Sequence, residues 1–129
     1  MLVKSFARLL ILVLPSMKVN QSAMLSPIQR AECEHLGQLL ARLRLARKVK
    51  QSDAALRAGL SRNTAYRLEK GDPGLALGQV QRYLQAIAPG STLLDLLSQT
   101  DPALLALEAK EKSKRVRDLT AAEREELDF

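Results

Sequence analysis

The stretch Val49-Lys50-Gln51-Ser52-Asp53-Ala54-Ala55-Leu56-Arg57-Ala58-Gly59-Leu60-Ser61-Arg62-Asn63-Thr64-Ala65-Tyr66-Arg67-Leu68-Glu69-Lys70-Gly71 decides the fold. Its spacing predicts two short helices, about Gln51–Ala58 and Arg62–Glu69, joined by a tight turn. Gly59 tolerates the positive φ that such a turn requires. Ala55 and Ala58 are small enough for two helices to cross closely. Ser61 offers a hydroxyl N-cap to the second helix, and Gly71 stops it. Leu60 and Leu68 anchor that helix to a core, which turns Arg62, Asn63, Tyr66 and Arg67 outward. These side chains carry the donors needed to read base edges in a major groove.

Working outward, Leu36, Leu39, Leu40, Leu43 and Ala46 follow 3,4 spacing and mark an amphipathic helix before the stretch. Gln38, Arg42, Arg44 and Lys48 are expected on its opposite, solvated face. After the stretch, Asp72-Pro73-Gly74 is a turn signal. Leu77, Val80, Leu84 and Ile87 then define one face of a fourth helix, which Pro89-Gly90 ends. Ser91 or Thr92 caps a fifth, Leu93–Leu97. Asp101-Pro102 starts a further helix containing Leu104, Leu105 and Leu107. Lys110 to Arg117 is basic and is expected to fray or act as a linker. Thr120-Ala121-Ala122-Glu123 fits a capping box that would open a short acidic helix. No segment reads as a strand. The expectation is an all-α chain: a five-helix domain over 25–99, an extension over 1–24 and a helical or mobile tail over 100–129.

The motif resembles the helix-turn-helix of phage-repressor-like bacterial regulators, the Cro/C1-type (XRE) family. The matching positions are Gln51, Ala55, Ala58-Gly59, Ser61, Thr64 and Arg67-Leu68-Glu69-Lys70-Gly71, and the likeness extends over about Leu36 to Ala88. The resemblance implies a recognition helix opened by Arg62 and Asn63, with base contacts there and at Tyr66 and Arg67. It implies phosphate contacts from Gln51, Ser61 and Thr64, joined by Arg47 and Lys48 through charge. Each role has a plainer counterpart. Arg67 could pair with Glu69 or a neighbouring acid, Tyr66 could belong to the core, and Glu69 could tie down the turn. Departures from the family pattern are Lys50 and Ala76 in place of capping hydroxyls, Ala54 in place of a larger Leu, and Leu56 in place of a polar residue.

Charge agrees with that partner. The chain of 129 residues is 47% hydrophobic and 3% aromatic, with no Trp and a net charge of +6. Between Leu36 and Lys70 nine bases face two acids, a surplus of +7 that leaves −1 for the remainder. A basic stretch of this kind points to a polyanion, here double-stranded DNA. Few aromatics argue against single-strand RNA platforms. Cys33 and His35 are the sole residues of their kinds. They make neither a metal cluster nor a nucleophile–base pair, and no phosphate-cradling glycine loop is present, so no enzyme, metal or cofactor is expected. The run Leu9-Leu10-Ile11-Leu12-Val13-Leu14, closed by Pro15, is too short to span a bilayer. It reads as a dispensable extension, with Met17 and Met24 as alternative starts, and the protein is expected to be cytoplasmic without membrane contact.

Two functions fit. The first is a homodimeric repressor, with Leu93–Leu107 as the dimerisation candidate. The second is an antitoxin that holds a toxin protein and binds its own operator. It rests on the likeness of Glu69 through Gly78 to antitoxins that accompany kinase-type toxins. The tail ending at Phe129 would be its partner-binding element.

Overall fold

A computed structural model describes residues 19–127, and the described residues form helices and loops with no strand. The helices are α1 (Gln21–Met24), α2 (Pro27–Ala46), α3 (Gln51–Ala58), α4 (Arg62–Glu69), α5 (Leu77–Ile87), α6 (Leu93–Ser98) and α7 (Pro102–Leu127). The apolar run at 9–14 and the terminal Phe129 lie outside the described residues.

α2 starts well before the leucines that reveal it. Ser26 caps it by accepting from the Gln29 N–H at 3.2 Å, while the Gln29 side chain accepts from the Ser26 N–H at 3.0 Å. This reciprocal box, with Pro27 at the first helical position, nucleates the helix a turn and more ahead of the amphipathic stripe. α3 begins at Lys50 with no side-chain cap, as its lysine foretells, and ends on Gly59 at φ +67. α5 also lacks a capping hydroxyl. There the Gln79 side chain accepts from the Ala76 N–H at 3.0 Å instead.

One core joins α2 to α6. It contains Leu39, Leu40 and Leu43 of α2, Ala54, Ala55 and Ala58 of α3, Ala65 and Leu68 of α4, and Tyr83, Leu84 and Ile87 of α5. The three alanines let α3 pack against both α4 and α5. Leu60 and Leu93 pack partly buried against this cluster, and Leu96 completes it.

Three expectations are corrected. Arg44 is not on the solvated face: it turns inward, and its guanidinium is largely buried against Glu69. Leu77 is exposed, because it occupies the first turn of α5, before the helix meets the core. The tail is one helix, with neither a linker at 110–117 nor a new start at Thr120. No glycine or proline interrupts 103–127, and residues of high helical propensity carry the helix through the basic segment.

α2 and the end of α4 meet backbone to backbone. A Cβ added at Gly37 would lie 2.6 Å from the Glu69 carbonyl oxygen and 2.6 Å from the Gly71 nitrogen. Gly71 itself has φ +74, and a Cβ there would lie 2.3 Å from the Cys33 carbonyl oxygen. The seat of α4 on α2 therefore tolerates no side chain. Gly37→Ala is expected to destabilise the protein by about 1–3 kcal/mol. Gly78→Ala, in α5 with nothing within 4 Å of the added methyl, is expected to stabilise it by about 0.5–1 kcal/mol. Denaturant midpoints measure both, and shifts of the same sign would show that the close approach is not limiting.

Candidate nucleic-acid interface

α4 presents one outward face. Ser61 accepts from the Thr64 N–H at 3.0 Å, and the two hydroxyl oxygens are 2.8 Å apart. These two groups thus fix the helix start, and the cap sits where a helix N-terminus favours anions. Arg62 and Asn63 follow, both exposed. Tyr66, one turn on, is 53% exposed, which places it on the surface rather than in the core. The Lys70 ammonium stands 5.5 Å from the centroid of its ring.

Arg67 is half-buried, and its Nε donates to Asp72 Oδ2 at 2.7 Å. Asp72 Oδ1 in turn accepts from the Gly74 N–H at 2.8 Å. The Gly74 N–H and the Arg67 guanidinium hold this carboxyl below the usual carboxylate range. The ion-pair reading of Arg67 is therefore realised, with Asp72 as its acid and not Glu69. Asn20, Ser22 and Arg30 line a groove with Tyr66, Arg67 and Lys70. The N-terminal segment thus borders the outward face of α4.

Behind that face lies the Glu69 carboxylate. It accepts from Arg44 Nε and Nη2, from the Gln51 side-chain N–H, and from the Tyr83 hydroxyl at 3.0 Å. These donors come from α2, α3 and α5. Arg44 Nη1 also donates to the Val49 carbonyl at 3.0 Å, which fastens the loop before α3. The hydrogen bonds to Glu69 raise the Arg44 pKa. Burial, followed by the Glu69 charge, pushes the Tyr83 phenol above its ordinary value of 10.0. The expectation that Glu69 ties down the turn describes this arrangement. Gln51 is half-buried and held by Glu69 at the start of α3.

The remaining expected contacts separate. Lys48 is exposed in the loop before α3, with φ +57, unusual for a residue with a Cβ. Arg47 pairs with Asp101, in a corner that it shares with Pro89, Asp95 and Leu104 and with no residue of α3 or α4. One residue that sequence reasoning missed is Arg82 of α5. Its guanidinium donates to the Ala58 carbonyl at 3.0 Å and the Gly59 carbonyl at 2.8 Å. It thereby closes the C-terminus of α3 at the turn. Nothing in the spacing of α5 distinguishes it from a solvated arginine.

Residues 35–97, just under half of the chain, match a family described as a helix-turn-helix domain. The match runs from the middle of α2 to α6 and brackets the α3–turn–α4 unit. Over these residues the chain is similar to a helix-turn-helix domain. No curated protein and no solved structure matches the chain. Among the described residues, no group of three His, Cys, Asp or Glu side chains could hold a metal ion. No helix among them is long and apolar enough to cross a membrane.

The folded state binds the Tyr83 proton more tightly than the unfolded chain does. The resulting stability is complete below the ordinary phenol value and is lost as pH rises through the folded one. Unfolding free energy should therefore fall with pH above about 10. Tyr83→Phe should remove that slope while costing about 0.5–1.5 kcal/mol at neutral pH. Denaturant titrations of both proteins across this range test it. An unchanged alkaline slope in the variant would assign the effect elsewhere.

Proposed function

We propose that this protein is a sequence-specific double-stranded DNA-binding transcriptional repressor of the Cro/C1 type that places α4 in the major groove. The observation that carries this reading is the outward face of α4. Arg62, Asn63 and Tyr66 project from a capped helix start whose opposite side is buried through Ala65 and Leu68. Arg62 and Asn63 read bases near the helix start, Tyr66 one turn on. Arg67, with Nε held by Asp72, reads through its remaining donors. Gln51, Ser61, Thr64 and Lys48 border phosphates, while Arg47 acts at longer range through its charge. Two copies bind half-sites about one helical turn, ~34 Å, apart. The protein acts in the cytoplasm and needs no cofactor.

A second reading, an antitoxin that also neutralises a protein toxin, is favoured by the apolar groove between α2 and α6. Ile28, Ala31, Leu36, Leu93 and Leu97 line it, and Leu56 on α3 is 81% exposed. A stoichiometric partner encoded beside this gene, retained through purification, would select this reading.

Arg62→Ala is expected to weaken operator binding by about 1–3 kcal/mol and to relax preference at one base pair. Equal loss on operator and random duplex would make Arg62 a phosphate contact. For Gln51→Ala the expectation is weaker binding with an unchanged consensus, read by selection from a randomised duplex pool. A shifted consensus would remove Gln51 from the phosphate contacts.

A further inference from the structure

The proposed function sets the start of α4, with Gln51 and Lys48 beside it, against one phosphate backbone. From Ser61 to Lys70 the chain advances nine residues, about 13 Å at the helical rise of about 1.5 Å per residue. The major groove is about 12 Å wide. A helix seated with its start at one wall of the groove therefore brings its far end within reach of the other wall, where the second strand's phosphates lie.

That far end is basic. The Lys70 ammonium stands on the outward face, 5.5 Å from the centroid of the Tyr66 ring. Arg30, in the first turns of α2, lines the same groove as Tyr66, Arg67 and Lys70. The close approach of Gly71 to the Cys33 carbonyl seats this part of α2 against the end of α4, so Arg30, one turn before Cys33, is carried by a fixed wall. Arg30 and Lys70 are both exposed, and among the described residues neither enters an ion pair. Two acids share the groove, Glu34 and Asp72. Asp72 is engaged by the Arg67 Nε and the Gly74 N–H. Setting Arg67 and Asp72 aside leaves two bases against Glu34, a surplus of +1. Asn20 and Ser22 add neutral polar side chains to the same wall.

We propose that Arg30 and Lys70 form a second phosphate clamp, which grips the strand opposite to the one held at the start of α4. The clamp rests on the DNA-binding reading and adds to it a wall contributed by the beginning of α2. Arg30 lies before residues 35–97, which match the helix-turn-helix family. Held at both ends, α4 is fixed in register within the groove. Contacts of this kind go to the backbone, so they strengthen binding to any duplex and carry no base preference.

The test is binding of the full chain, across a salt series, to a duplex selected from a randomised pool and to a random-sequence duplex. For Arg30→Gln and for Lys70→Gln, the fall of log affinity with log salt should flatten by about 0.9 each, the share of one phosphate contact, on both duplexes. The selected consensus should stay unchanged. Misfolding would lower the active fraction without altering that slope. Glu34→Gln, which removes the unpaired acid of the groove, should tighten binding to both duplexes. Glu32→Gln makes the same charge change two residues away, on the side of α2 that faces the apolar groove, and should leave both affinities unaltered. Wild type that binds no duplex overturns the DNA-binding reading and the clamp together. Wild type that binds, with either basic variant keeping its slope, overturns the clamp alone. So does a shifted consensus, or an equal response to Glu34→Gln and Glu32→Gln.

Discussion

The domain is organised around one buried carboxylate. Removing a charge from water costs several kcal/mol unless donors replace the lost hydration. Glu69 is nearly enclosed yet fully supplied, by Arg44 from α2, Gln51 from α3 and Tyr83 from α5. Because it is the last residue of α4, the pose of that helix depends on all three. Its angle to α3 and its height above α2 follow from one set of hydrogen bonds. Loss of any one donor would leave the carboxylate under-solvated, so the arrangement is cooperative and rigid.

Sterics complete what electrostatics starts. Gly37 and Gly71 let α2 touch the end of α4 without intervening side chains. Ala54, Ala55, Ala58 and Ala65 let α3 sit between its neighbours. Arg82 closes the turn from the far side by taking the carbonyls that Gly59 leaves at the end of α3. The result is a scaffold whose interior packs small residues and leucines around Tyr83 and Ile87, and whose outward α4 face is fixed from behind.

Much of this was legible in the sequence. The bounds of α3 and α4 follow from Gly59, Ser61 and Gly71, since each of these residues has a local conformational role. The exposure of Arg62 and Asn63 follows from the burial of Leu68 by helical period. What escaped notice depends on distant partners. Arg44 lies among basic residues and reads as solvated until Glu69 is brought beside it. The ion pair of Arg67 was open to the sequence, but the choice of Asp72 over Glu69 is made only after the chain turns at Gly71. Arg82 and Tyr83 act through atoms more than ten residues away. In the tail the capping signature at Thr120 starts nothing, because no glycine or proline in 103–127 stops the preceding helix.

The charge that pointed to DNA is also distributed differently from its count. Of the nine bases between Leu36 and Lys70, four are drawn into ion pairs: Arg42 with Glu111, Arg44 with Glu69, Arg47 with Asp101 and Arg67 with Asp72. Three of those acids lie outside the stretch, so the −1 of the remainder conceals acids that neutralise the motif's own arginines. Arg42 and Arg47 are used to hold α7 against α2, and Arg44 to hold α4. Lys48, Lys50, Arg57, Arg62 and Lys70 are all exposed around α3 and α4. The field that a duplex would meet comes chiefly from these five. A basic surplus along a sequence therefore sets an upper bound on the surface field, and the fold decides which charges reach the solvent and which bind helices together.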